Sequence, residues 1–279
     1  MNSENQQNAE LKEKVGMADC FVISMFSPKE YGKLIKLGTG RVAFYLVMLT
    51  LLVSVIQYAI PVLSAVAAMG GMKEIIMNEV PEFSLENGKF SFSEKLEQSD
   101  EQAGIYMIVD TDVREYTKKD VPAHTIEAIM VSESNILAYN SLAGLGGMTE
   151  ETRFSDFKDL TMDNVKLADM SGLIYAGMAV IFVFIWLFVF AKHMLVALFY
   201  SVVILFLTKS MMADASFGKT YKVALFAQSI GAVVMAVTYC INNSLFIMAG
   251  SIFNIFITVA IMNRALILND REAGQAEQG

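Results

Sequence analysis

Long blocks of this chain carry no charge, and they predict its architecture before any motif does. Val42 to Val66 is uncharged between Arg41 and Lys73. Met170 to Ala191 and Met194 to Thr208 are uncharged on either side of Lys192 and His193. Val223 to Asn263 is uncharged between Lys222 and Arg264, with a polar knot at Asn242, Asn243 and Ser244. At about 1.5 Å rise per residue, this last block can cross a hydrocarbon core of ~30 Å twice and turn at the knot. The pattern predicts five spans, at 42–66, 171–191, 194–213, 223–241 and 245–266. Met194 to Thr208 gives only about 22 Å of helix. It crosses if Lys209 snorkels and Ser210 to Ala213 extend it.

Between the first two spans the pattern changes. Phe83-Ser84-Leu85-Glu86 and Lys89-Phe90-Ser91-Phe92 alternate around Asn87-Gly88, the strongest short-range hairpin signal. Ile105 to Val109 reads as a buried strand, and Thr125–Val131 and Ile136–Tyr139 as a hairpin around Ser132 to Asn135. Arg153 to Leu160 is expected as a last strand, with helices at Met72–Glu79 and Thr161–Asp169. Ala143 to Met148 is glycine-rich but lacks the Gly-Lys-Ser/Thr ending of a phosphate loop. The expected fold class is a membrane α-helical bundle with an inserted extracytoplasmic α+β domain, mostly antiparallel sheet, at 67–170. A cytoplasmic tail at 1–41 and a disordered tail at 268–279 flank it.

Composition agrees. Of 279 residues 54% are hydrophobic and 18% charged, where a soluble domain has about 25% charged. The start shows no early apolar core or cleavage site, so the first span is expected to act as an uncleaved signal-anchor. Lys12, Lys14, Lys29, Lys33, Lys36 and Arg41 precede that span and predict a cytoplasmic N-terminus. Residues 71–170 hold about −11 of the chain's net −8, so the rest is weakly basic. Five spans leave Lys209, Lys219, Lys222, Arg264 and Arg271 outside, against the positive-inside rule; four spans place them inside. The two apolar runs around Lys192-His193 favour five, the reading adopted.

Candidate chemistry is sparse. Asp110-Thr111-Asp112 is either a metal-binding carboxylate pair or a solvated turn closing a strand. His124 and His193 are the two histidines, expected in a loop and at a membrane interface. Cys20 and Cys240 are expected to stay unpaired. No catalytic or cofactor motif is present, so no enzyme, cofactor or nucleic-acid partner is expected. Nineteen methionines, several in spans, read as packing. Gln57, Pro61, Asn242 and Asn243 form a candidate intramembrane polar site, with Gln228 and Asn254 as further polar groups within spans; such groups usually bond between helices, and a solute pathway is the minority reading. No charged residue lies deep inside a firm span on this reading, which counts against a proton-coupled carrier.

Phe26-Ser27-Pro28-Lys29 before the first span, Val80-Pro81-Glu82-Phe83-Ser84-Leu85-Glu86-Asn87-Gly88-Lys89, the Ile105–Asp110 strand and the later spans follow one another as in a known group. Over roughly 20–270 the chain resembles a family of Gram-positive bacterial membrane proteins of unknown function, one named for a maltodextrin-utilisation locus. Ala215 to Val223 also resembles a segment of Yip-type membrane proteins, which are trafficking-associated and not enzymes. The resemblance implies a bacterial plasma-membrane protein without an active site. The expected function is a non-enzymatic accessory or sensor, whose extracytoplasmic domain binds a ligand or a membrane partner such as a sugar uptake system. A transporter or channel subunit is the alternative.

Overall fold

A computed structural model describes residues 15–141, 147–208, 216–241 and 243–276, with side chains through 206 and 268 in the fourth-last and last helices. The described residues form two compact units, one from Ser64–Gly177 and one from Met1–Leu63 with Met178–Gly279.

In the Ser64–Gly177 unit, α5 (Met72–Asn78) precedes a hairpin of β1 (Phe83–Glu86) and β2 (Lys89–Phe92). Asn87 and Gly88 take φ of 53° and 75°, as the two-residue turn that matches strand twist requires. Glycine is needed at 88 twice over, because a Cβ there would lie 2.9 Å from Ser155 Cα. β8 (Met162–Asp163) adds to β1 as a third strand.

The second sheet has the order β3 (Leu96–Asp100), β4 (Ile105–Val109), β5 (Glu127–Val131), β6 (Asn135–Asn140), β7 (Met148–Arg153). Only β4 and β5 pair in parallel. Side chains alternate across a strand, so Ile108, Ala128, Met130 and Leu137 share one face and bury Tyr116 with them. The β5–β6 turn is held by buried Asn135, whose Nδ2 donates to Tyr116 O at 2.8 Å while its Oδ1 accepts from Tyr116 N and Ser132 Oγ.

Three details of this unit differ from the sequence pattern. β3 was not expected; all five of its residues are exposed, so it has no apolar face to advertise it. The last long strand ends at Arg153, and Phe154–Phe157 winds into a 3₁₀ turn with Phe154 buried against Phe90. The closing helix, α6, spans only Asn164–Asp169, its first turn capped by Asp163, which accepts from Lys166 N at 2.8 Å. Residues 143–146 of the glycine-rich stretch lie outside the described residues.

The other unit is helical. Among the described residues, four helices are long and apolar enough to cross a membrane: Thr39–Ala68, Ser171–Phe206, Phe217–Ile241 and Ser244–Leu268. They mark the chain as a membrane protein. Exposed Phe184, Phe199, Phe206 and Phe256 suit a lipid-facing surface.

The expected pair of spans at 171–191 and 194–213 is one helix, α7 (Ser171–Thr208). Lys192 and His193 are polar, but neither is a helix breaker, and no glycine, proline or cap accompanies them. Lys209 and 210–213 lie outside the described residues. The next span begins at Phe217 rather than 223, as α8 (Phe217–Ala227) and α9 (Ser229–Ile241) with a break at Gln228. The last helix, α10 (Ser244–Ala276), runs on through most of the expected tail.

The segment expected as a tail is also folded. α1 (Met17–Phe26) and α2 (Tyr31–Ile35) bury Cys20, Ile23, Tyr31 and Leu34 in the core of the helical unit. Lys222 Nζ donates to Ile35 O and Leu37 O, a cation closing a helix C-terminus.

The first span is α3 (Thr39–Ser54), a π-turn (Val55–Ala59) and α4 (Ile60–Ala68). Tyr45 on α3 sits between Phe21 and Phe226, and its hydroxyl lies 2.7 Å from both Ser24 Oγ and Ser229 Oγ. Each serine also donates to a backbone carbonyl, Phe21 O and Phe226 O. Three hydroxyl protons cover three of the four contacts at any one time, and the tyrosine joins the two serines. Tyr45→Phe should leave two buried hydroxyls facing a methine, lowering stability by about 1 kcal/mol. Chemical denaturation of the detergent-solubilised protein measures this; an unchanged midpoint would show the hydroxyl to be dispensable.

A polar cavity among the apolar helices as the candidate functional site

Proline sets up the site. Pro61 has no N–H, so an uninterrupted α-helix through it would leave a carbonyl unpaired. The chain widens one turn instead, and Ile60 N–H bonds Val55 O. In that i to i+5 register Ile56 O faces Pro61. The Cys240 thiol donates to Ile56 O at 3.1 Å. One unusual turn is therefore fixed by a side chain from α9, and it places Gln57 and Tyr58 on the wall of a cavity. π-turns of this kind are frequent at functional positions.

The cavity is about 360 Å³ and takes lining residues from all four apolar helices. Apolar side chains make up much of the wall, and these polar ones join them: Gln57 from the π-turn, Lys192 and His193 from α7, Gln228 from the α8–α9 break, and Ser251 and Asn254 from α10. Its frame is tied by hydrogen bonds. Trp186 Nε1–H donates to Thr50 Oγ1 at 3.2 Å, joining α7 to α3. His193 Nε2–H donates to Leu225 O at 3.1 Å, joining α7 to α8, and the ring is 8% exposed. Gln228 Nε2 donates to Ala224 O, and Thr258 Oγ1 donates to Asn254 Oδ1. Among the described residues, no hydrogen bond or ion pair engages the Gln57 amide or the Lys192 ammonium.

The continuity of α7 changes what Lys192 means. An interfacial position was expected for Lys192 and His193, with no charge deep in a span. In a single helix from Ser171 to Phe206, Lys192 stands about 31 Å from one end and about 21 Å from the other. A lysine within an apolar helix that is a candidate span marks a candidate functional position.

The family model for "Protein of unknown function (DUF1189)" matches residues 19–266. The chain belongs to this family. No curated protein and no solved structure matches it. The family stretch takes in every cavity-lining residue, α2 and all but the first two residues of α1.

The expected site residues separate. Gln57 lines the cavity, and Pro61 acts one turn away through the backbone. Asn243 is instead a helix cap: its Oδ1 accepts from Leu245 N at 3.0 Å and Phe246 N at 3.4 Å. Asn242 lies outside the described residues. Asp110 holds an Asx turn, accepting from Asp112 N at 3.1 Å, and lies 3.5 Å from Lys95 Nζ. That lysine also pairs with Glu97, whose carboxyl is held below its usual range by hydrogen bonds from Tyr106 and Lys95. Among the described residues, no three His, Cys, Asp or Glu converge as a metal group. Gln228 and Asn254, read from the sequence as intramembrane polar groups, line the cavity, as does Lys192, which was expected at a membrane boundary. Their shared signal was position inside apolar blocks.

Asn254 reaches the cavity because Gly231 faces it. A Cβ at 231 would overlap the Asn254 amide oxygen. Gly231→Ala should therefore destabilise the helical unit by about 1–3 kcal/mol, as overpacking does. Adding Asn254→Ala should recover most of that loss in the thermal midpoint. Failure of the second change to rescue would mean the two residues are not in contact.

Proposed function

We propose that this protein is a non-enzymatic accessory or sensor of the bacterial plasma membrane that binds a small polar molecule between its spans. The observation that carries this reading is the cavity, where a lysine and a glutamine stand unengaged beside the hydrogen-bonded polar groups of the bundle. Polar groups in hydrocarbon are costly unless they face partners, water or a ligand. Occupancy of the cavity would be read by a partner membrane protein. A sugar uptake system as that partner rests on the sequence resemblance, as does the link to maltodextrin use.

Orientation follows from charge. With four crossings and a cytoplasmic N-terminus, residues 69–170 lie outside, and Lys219, Lys222 and Arg264 return to the inner side. A transport pathway is the second reading. It is favoured by the π-turn and Pro61, since broken helices line the sites of many transporters.

Reporter fusions after Asn140 and after Gly279 should read outside and inside respectively. An inside signal at Asn140 would reverse the orientation. Native mass spectrometry of the purified full chain should show one small molecule per chain, lost on Ala232→Trp, which fills the cavity. An empty wild-type protein, or adducts indifferent to Ala232→Trp, would overturn the binding reading. Solute flux from reconstituted protein would replace the accessory role with transport.

A further inference from the structure

The chemistry of the cavity wall narrows what it can hold. Lys192 contributes a formal positive charge, and no aspartate or glutamate is among the residues lining the cavity. His193 spends its Nε2–H on Leu225 O. Asn254 accepts from Thr258 through Oδ1, so its Nδ2 hydrogens are left for an incoming acceptor. Gln57 brings a further amide. The wall thus offers one cation and several N–H donors, and carries no carboxylate to compete for them.

Lys192 is exposed and lines the cavity; a neutral polar guest would satisfy the amides but leave its charge unpaired. An anion with several acceptor oxygens satisfies both. A phosphate group does so best, because each of its oxygens accepts strong, charge-assisted hydrogen bonds.

The entrance points to the source. Two of the lining residues are large and apolar and stand on the outer surface of their helices: Phe188 is 70% exposed and Ile255 52% exposed. Phe188 lies on α7 and Ile255 on α10. The cavity therefore has an apolar rim where the helical unit meets lipid. A ligand with an anionic head and apolar tails can put its head against Lys192 while its tails remain among acyl chains. Basic pockets between membrane helices are suited to phosphate headgroups in this way.

We propose that the cavity binds the phosphate of an anionic membrane lipid, entering sideways past Phe188 and Ile255, with Lys192 pairing its charge and Gln57 and Asn254 donating to its oxygens. This rests on the binding reading above and names the ligand class.

The test uses the full chain, purified and delipidated in neutral detergent. Three probes are titrated: phosphatidylglycerol, phosphatidylcholine and inorganic phosphate. Bound lipid is counted by native mass spectrometry, and the thermal midpoint is followed alongside. Phosphatidylglycerol should bind about ten-fold more tightly than phosphatidylcholine, the scale of one charge-assisted contact set. Lys192→Gln should abolish that preference, and Lys192→Arg should restore it. Lys29→Gln, a basic residue exposed outside the cavity, should leave it unchanged. The unliganded midpoint of each variant confirms folding.

Equal loss on Lys29→Gln would mean surface attraction and would overturn the proposal. Competition by inorganic phosphate alone, with no effect of lipid, would overturn the lipid source and leave the phosphate. Equal binding of both lipids, sensitive to Ala232→Trp, would sink the anion class while the cavity-binding reading survives. No cavity-dependent binding by folded protein would sink both.

Discussion

A polar group inside a membrane helix must find a partner, and that constraint organises the helical unit. It acts first on the backbone. Pro61 removes one donor, the turn before it widens, and a cysteine thiol from another helix reaches the carbonyl that proline cannot serve. It then acts on side chains. Tyr45, Trp186, His193 and Gln228 each bond a hydroxyl or a carbonyl within the protein. These bonds are individually modest, about 1 kcal/mol net. In hydrocarbon their value lies in what is avoided, since an unmade bond costs more than a made one gains.

Beside these bonded groups, Lys192, Gln57 and the buried Ser54 hydroxyl have no partner among the described residues. The same helices that pair Trp186 with Thr50 and His193 with Leu225 leave a space beside them. Small residues and close contacts shape it: Gly231 gives way to Asn254, and Gly250 lies against Met235 and Thr238. A bundle could bury these positions with leucine at no electrostatic cost. Retaining a cation and amides there is consistent with a guest that supplies the missing charge and acceptors.

The Ser64–Gly177 unit follows ordinary rules for soluble domains. Its turns are set by Asn-Gly and by a buried asparagine, and its core is a single layer of alternating residues under Tyr116. Its candidate metal pair at Asp110 and Asp112 is tied up in a local turn and a lysine contact. The membership of the chain in a family of unknown function adds extent without chemistry: the match runs across both units. The functional reading accordingly stands on the cavity.

Local pattern determined much of this protein. Uncharged blocks announced the membrane helices, because charge in hydrocarbon is too costly to scatter at random. Asn87-Gly88 announced its hairpin, because two successive residues with positive φ suit few other pairs. Gln57 and Pro61 stood out as polar and helix-breaking residues in an apolar run. Other features were invisible to pattern. Lys192-His193 looked like a boundary, since a lone polar pair marks the end of one helix and the middle of another alike. Whether α7 continues through it depends on Leu225 O and a cavity being there to receive the side chains, and both come from residues more than thirty positions away or from other helices. β3 had no buried face to betray it; α1 is apolar but only ten residues long, too short to read as a span, and α2 is shorter still, so both looked like a tail until the bundle supplied the surface that buries them. Periodicity along a chain reports which faces are apolar; only the packing of distant helices decides which polar groups meet, because hydrogen bonds and cavities are set by distance in space.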